Sequence, residues 1–405
     1  MGAALDALGL PFREEEVRVP GGAVGRVAAP ERVEELEAIV RAASEDLDGL
    51  LVMGGRTRLD LANPVGAVSL GISLESMSEI DEFDPDEGVL HAGAGTPIPK
   101  IREAVAAEGW ELALDTPGAT STIGGTIASG VTGPRAHGFG PVKDAILGLE
   151  VVGGDGVATK CGGRVVKNVT GYDLAKLYCG SFGTLAIVTG AWLRLRPTPA
   201  ERRAIVATVP AEEAAFEAIR KLGERPSVRA SIWRESPESG PGARLLVELG
   251  GSGAGVEADL AAFREIASFD DASTTDVDLA RDELLATGPD VVLRARVLGT
   301  NVAAFKSAAL AAGLEVLVES GPGVVRARGA LRSVEVLLGL RETAVRLGGF
   351  ATFERIPEEW RPELDVFGDV GGALEIVSAL ARRFDPSGIL NPGRFVGSGA
   401  AGRGA

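Results

Sequence analysis

Apolar residues recur at helical spacing in ERVEELEAIVRAASED, where Val33, Leu36, Ile39 and Val40 share one face behind Pro30, a residue suited to a first helical turn. The short apolar run LLVM then predicts a strand that stops at Gly54-Gly55. AVSLGI and GVLHAGAGT predict further strands, IPKIREAVAAEGW a helix, and ILGLEVVGGDG a strand and turn. The stretch VRVPGGAVGRVAAP predicts irregular strand and turn, and GYDLAKLYCGSFGTLAIVTGAWLRLRP a helix followed by a long strand.

From about residue 200 the texture changes. RRAIVATVP, AEEAAFEAIRKLGE and RASIWRE alternate strand, helix and strand, and the alternation continues through ARLLVELGG, GVEADLAAFREIASF, DVVLRARVL, VAAFKSAALAAG, LEVLVES, VVRARGA and SVEVLLGLRETAVRLGG. This pattern predicts a smaller α+β domain with split βαβ units over 199–365. The remainder is expected to be one larger domain, 20–198 completed by 366–397, with a tail at 398–405.

Composition narrows the function. A formal net charge of −16 disfavours nucleic acid and anionic membrane surfaces as main partners. Two cysteines, Cys161 and Cys179, and two histidines, His91 and His137, leave too few ligands for a disulfide framework, a structural zinc site or a self-held iron–sulfur cluster, so no metal is expected. MGAALDALGLPFREEE lacks a basic segment followed by an apolar run, and the expected location is cytoplasmic, with any inner-membrane contact made through partners.

Glycine concentrates in two places. LLVMGGRTRLD ends a strand in Gly54-Gly55, a turn able to expose successive N–H groups to phosphate, with Arg56 and Arg58 adding charge. It is neither a Walker loop nor a GxGxxG fingerprint, and a tight surface turn is the plain alternative. DTPGATSTIGGTIASGVTGPRAHGFG turns at Pro117-Gly118 and then offers a hydroxyl-capped helix start at Ser121–Thr126. Such a start favours anions, with helix packing alone as the alternative.

These segments, followed by GYDLAKLYCGSFGTLAIVTG and FDPSGILNPGRF, resemble in order and spacing the FAD-binding domain of the vanillyl-alcohol oxidase / p-cresol methylhydroxylase family. The resemblance covers about 20–198 and 384–395, is weak over 200–365, and within the family points toward FAD-binding subunits of glycolate oxidase complexes. It implies an α+β fold: a two-subdomain FAD-binding domain of the p-cresol methylhydroxylase type plus a smaller ferredoxin-like α+β domain. It implies noncovalent FAD, because MGGRTRL lacks the histidine that attaches flavin in many relatives.

By motif position, Gly54, Gly55, Arg56, Thr57 and Arg58 would hold the diphosphate. Pro117, Gly118, Thr122, Ile123, Gly124, Gly125 and Thr126 would line the diphosphate and flavin side. Gly133, Arg135 and His137 would border the ligand, Ile187 and Val188 the adenine, and Asn391 the flavin ring. Arginine at position 56 departs from the family's glycine, and a left-handed residue there would be strained.

The implied reaction is oxidation of a small 2-hydroxy acid such as glycolate. The implied partners are a second FAD-linked oxidase subunit and an iron–sulfur subunit. Such a reaction needs a cation for the carboxylate and a base for the hydroxyl. Arg294/Arg296 and Arg326/Arg328, each pair on one strand face, could supply cations, and a solvated or ion-paired sheet face is the favoured alternative. Arg294, Arg326 and Lys167 are the candidate catalytic residues; Tyr172 is a further polar candidate, and Cys179 and His91 read as packing. Residues 200–365 contain no histidine, so the metal-assisted site of related lactate and 2-hydroxyglutarate dehydrogenases is not expected. A standalone flavin oxidase or dehydrogenase of another small alcohol or hydroxy acid, and a flavin-binding subunit without turnover, are the alternatives.

Overall fold

The computed structural model describes residues 2–116, 118–164, 172–238, 242–265, 270–272, 290–319 and 323–396. Two separate buried clusters organise them, one built from residues 5–195 with Ile389 and Leu390, the other from residues 205–366.

The first unit contains two sheets. β1 (Phe12–Val19) and β2 (Gly22–Ala28) form an antiparallel hairpin, regular apart from a bulge between Glu14 and Val17. The segment that reads as irregular in sequence is therefore ordered strand, with Gly21 at φ +89° making the turn. β3 (Leu50–Met53) and β4 (Leu70–Ser73) run parallel to β2, in the order β1-β2-β4-β3. Helix Val33–Asp46 connects β2 to β3 and buries Leu36, Ile39 and Val40, the stripe its periodicity predicts.

β5 (Ile80–Asp84) and β6 (Val89–Gly93) precede the short β7 (Trp110–Glu111). β8 (Ile146–Gly153), β9 (Ala158–Gly162) and β10 (Ala186–Arg194) complete an antiparallel sheet ordered β5-β6-β10-β8-β9, and β11 (Arg196–Pro197) pairs with β7. Helix Ile123–Ser129 packs against β6 and β10 between the two sheets. The chain's end returns to the first sheet: Leu50 N–H donates to Ile389 O (2.7 Å), and Asn391 N–H donates to Leu50 O (2.9 Å).

The second unit is one eight-stranded antiparallel sheet. Its strands are β12 (Glu201–Val209), β13 (Val228–Glu235), β14 (Ala243–Gly251), β15 (Asp270–Ala272), β16 (Val291–Arg296), β17 (Glu315–Glu319), β18 (Val324–Gly329) and β19 (Phe350–Arg355). The order β15-β12-β14-β13-β17-β18-β16-β19 resolves into two tandem β-α-β-β-α-β copies. In each copy the fourth strand lies beside the first, and the third between first and second. The copies join edge to edge through β13 and β17, Trp233 opposite Val318. Joining covers two edges that would otherwise be exposed.

Helices Glu213–Leu222, Gly253–Arg264, Val302–Ala311 and Val334–Arg346 lie on one face of this sheet, contributing Phe216, Val256, Phe305 and Leu337 to its core. Strand alternation then sends the intervening side chains to the other face. Leu293 and Ala295 point to the helices, whereas Arg294 lies opposite them. That second face carries Glu248, Glu319, Arg326 and Glu354 and meets the first unit.

Candidate functional site

The end of β3, the start of helix Ile123–Ser129 and the C-terminal loop converge on one cleft. It is lined by residues 51–59, by Thr122, Gly125, Thr126, Ala128 and Ser129, and by Phe182, Asn391 and Arg394. Four segments far apart in sequence thus share it.

Gly54 and Gly55 let two loops touch. A Cβ on Gly55 would lie 1.5 Å from Thr120 O, and one on Gly54 2.3 Å from Thr122 Oγ1. Thr57 Oγ1 and Ser121 Oγ share a hydrogen bond of 3.0 Å across the same seam. Arg56 is left-handed, at φ +59°, so the turn keeps its glycine-like conformation despite the side chain. Its guanidinium pairs with Glu15, Nη2 donating to Oε2 at 3.0 Å. Arg58 runs inward, Nη1 donating to Ser129 Oγ (3.0 Å) and Val131 O (3.2 Å), while Nη2 is buried without a hydrogen-bond partner. Burial lowers its pKa to about 10.

The sequence predicts a helix start with a hydroxyl cap, and Thr122 is that cap, accepting from Gly125 N–H at 3.3 Å. The other leading amides are also engaged: Ile123 N–H donates to Thr96 O (3.0 Å) and Gly124 N–H to Ala94 O (2.8 Å). Ile123 is a core residue, and Gly124 packs on Ala94, where a Cβ would fall 2.7 Å from that residue's own. Neither lines the cleft, because the helix start spends its first amides on the turn that follows β6.

Asn391 is expected beside the flavin ring; the structure shows it tying the cleft together. Its Oδ1 accepts from Val52 N–H (2.8 Å), and its Nδ2 donates to Phe182 O (2.8 Å). Ile187 and Val188 lie in the centre of β10, paired with Val152 and Val151 in the core, away from the cleft wall. Gly118 has φ +67° in an open turn, and Gly133 faces the Asp115 side chain. Pro117 and Lys167 lie outside the described residues. Tyr172 is 96% exposed and touches no part of the cleft. His91 packs on Trp192 and pairs with Asp81, and burial pushes the Cys179 thiol up to about 12.

Residues 129–138 continue from the cleft to the second unit. Arg326 Nη2 donates to Thr132 O (2.8 Å), its Nε to Glu354 Oε2 (3.0 Å), and its Nη1 contacts Glu319. Arg294, opposite Arg326 in register, lies 3.7 Å from Glu354, and burial lowers its pKa to about 10. Of the solvated or ion-paired sheet face expected for these arginines, the structure shows the ion-paired form, with Arg326 on Glu319 and Glu354 and Arg294 near Glu354, enclosed rather than solvated because the first unit covers that side of the sheet. Arg135 turns to Glu248 of β14 rather than to the cleft. His137, Arg294 and Arg296 line a cavity of about 680 Å³ between the units. Burial lowers the His137 pKa.

Sequence reasoning missed Arg394, Glu248 and Glu354. For Glu248 and Glu354 the available signal was a carboxylate among the apolar residues of LLVELGG and FATFER, since a buried charge needs a partner.

The cleft fits FAD. Its lining holds three arginines and no carboxylate, and the partnerless Arg58 nitrogen suits a phosphate oxygen. Fold and cleft together define a FAD-binding protein of the p-cresol methylhydroxylase type. Residues 24–162 match the FAD binding domain family.

The chain is 33% identical to glycolate oxidase subunit GlcE of Escherichia coli (strain K12), over 44% of this chain and 51% of that protein. It thus spans about half the length of that relative. It is 26% identical to glycolate oxidase subunit GlcD of Bacillus subtilis (strain 168), over 91% of this chain and 88% of that one. Its fold matches p-cresol methylhydroxylase with a TM-score of 0.73 at 16% identity, covering 96% and 92% of the two chains. Among the described residues no helix is long and apolar enough to cross a membrane, and no group of three or more His, Cys, Asp and Glu could hold a metal ion.

Proposed function

We propose that this chain is the FAD-binding subunit of a glycolate-oxidase-type complex and takes part in oxidising a small 2-hydroxy acid, glycolate first among candidates. The observation that supports this reading most is the cavity between the units, where Arg294 and Arg296 of the second unit share the lining with Gly130 and Thr132 of the FAD unit. Guanidinium groups able to receive a carboxylate thereby line a cavity that borders the cofactor domain, while Arg326 is committed to Glu354, Glu319 and Thr132 O. The names of the two glycolate oxidase relatives point the same way.

Bound FAD supplies two-electron redox chemistry. Gly54, Gly55, Thr57, Arg58, Thr122 and Asn391 form the walls that orient it, and Arg294 offers the carboxylate its charge. The second oxidase subunit and the iron–sulfur subunit complete the electron path in this proposal.

The test is anaerobic flavin reduction by glycolate, followed at the visible absorption bands. The purified chain should be yellow and bleach slowly when alone, and bleach fast when co-purified with its partners. Rapid glycolate turnover by the isolated chain would overturn the subunit assignment.

A further inference from the structure

We infer that Arg394 and Arg58 are the two charges that hold the FAD diphosphate, so that the cleft recognises a nucleoside diphosphate through buried guanidinium groups. The inference deepens the FAD assignment and does not depend on the reaction proposed above.

Beside the backbone N–H groups of the Gly54–Thr57 turn, which carry no net charge, one helix start and three arginines could compensate the diphosphate charge. The helix start at Ile123 is spent, because its first amides bond to Thr96 O, Ala94 O and Thr122 Oγ1. Arg56 is spent on Glu15. Arg58 and Arg394 remain. Arg394 is only 5% exposed, and its Nη1 is buried without a partner, as is Arg58 Nη2. Both residues line the cleft, one from the first loop and one from the C-terminal loop. The charged neighbours that act on Arg394 are Arg361 and Asp60; Arg361 gives its own donors to Asp60 O and Ala62 O. No carboxylate lines the cleft among the described residues. Two buried cations facing one apolar and hydroxyl-lined cleft are unfavourable until an anion arrives. A diphosphate carries two charged phosphoryl groups whose oxygens accept from guanidinium forks.

A purely structural arginine and a ligand-receiving one behave in opposite ways. Neutralising a buried charge that awaits its partner leaves the flavin-free protein at least as stable, yet weakens the ligand. Neutralising a structural charge lowers the stability of both forms.

The experiment uses the full chain stripped of flavin, with FAD and ADP as probes and adenosine as the control without phosphate. Affinity is read by calorimetry, and stability by melting with and without ADP. Arg394→Gln and Arg58→Gln should each weaken ADP and FAD by about 10- to 100-fold, and adenosine by less than about twofold. Flavin-free R394Q should melt no lower than the parent. Arg394→Lys, which keeps the charge, should recover most of the ADP affinity. ADP binding by R394Q within about twofold of the parent would overturn the inference. So would lowered melting of flavin-free R394Q together with ADP loss that R394K does not repair.

Discussion

Arg135 of the FAD unit and Glu248 of the second unit form a two-point ion pair, Nε to Oε2 at 3.0 Å and Nη2 to Oε1 at 3.1 Å. The residues are 6% and 1% exposed. Arg202 and Arg229 also reach Glu248, and Arg229 reaches Glu111 as well. One carboxylate at the joint thus collects three arginines, Arg135 from across it and Arg202 and Arg229 from its own sheet. Removing one member of such a buried group strands the others. Glu248→Gln should therefore cost about 3–5 kcal/mol of unfolding free energy, measured with urea at pH 7. A cost under about 1 kcal/mol would mean that the joint does not depend on this carboxylate.

The same carboxylate gives the joint a pH dependence. Burial pushes the Glu248 pKa up, but Arg135, then Arg202 and Arg229, outweigh it and hold the net value below the ordinary range. A folded value below the unfolded one, about 4.3, means that the stabilisation is present above pH 4.3. It is lost as pH falls through the lowered folded value. The stability gap between parent and E248Q should thus narrow progressively below about pH 4 and stay constant between pH 5 and 7. Urea unfolding across that series checks it; a gap unchanged down to the lowest pH at which the chain folds would contradict the assignment.

Arg56 holds a strained backbone with an ion pair. Left-handed φ costs a residue with a Cβ about 1 kcal/mol relative to glycine. The pair with Glu15 opposes that strain only weakly, because both side chains are about one-third exposed. Arg56→Gly should leave the protein at least as stable as the parent, and Glu15→Gln should lower its melting temperature slightly. In the R56G background E15Q should have no further effect. Thermal melting of the four proteins tests this non-additivity.

Gly55 and Gly125 sit on the same cleft with different obstacles. A Cβ at 55 meets a backbone carbonyl at 1.5 Å, whereas one at 125 meets only the Thr122 hydroxyl at 3.3 Å. Gly55→Ala should cost about 1–3 kcal/mol or more and abolish FAD retention. Gly125→Ala should stay within about 1 kcal/mol of the parent and retain FAD, since the helix gains from alanine what the contact costs. The comparison is read from flavin content after gel filtration and from urea midpoints.

How much of this was readable in the chain itself divides by sequence distance. Elements with their own periodicity or punctuation were legible: the helix behind Pro30, the strand stopping at Gly54, the cap at Thr122. The cofactor domain was legible because four motifs occur in a fixed order. The doubling of the β-α-β-β-α-β unit was not, since the two copies share topology rather than residues and periodicity says nothing about which strands pair. Glycine's role at 54 and 55 was half legible: the chain signals close approach, but the partner is a loop 65 residues away rather than a ligand alone. For Arg294 and Arg326 a solvated and an ion-paired face stayed equally open, because alternation shows which side of a strand a residue takes, not what covers that side.

His137 was expected to border the cofactor; it lines the cavity between the units, its Nε2 hydrogen-bonded to Gly223 O. A carbonyl partner requires Nε2 to carry the proton, so Nδ1 is the bare nitrogen, and it is buried without a partner. Charging the ring would place a proton on that enclosed atom, which is why burial lowers the His137 pKa despite the opposing carbonyl. The unfolded chain then takes up its proton first, near pH 6.5, and stability falls as pH drops from 6.5 through the lower folded value. His137→Asn removes this titration. The variant should bind FAD within about threefold of the parent, because the residue does not line the cleft that holds Arg58 and Arg394. Its urea stability should change less than the parent's between pH 7.5 and 5. Equal slopes in the two proteins would show that His137 titrates as it does in the unfolded chain, and loss of flavin would return it to the cofactor site.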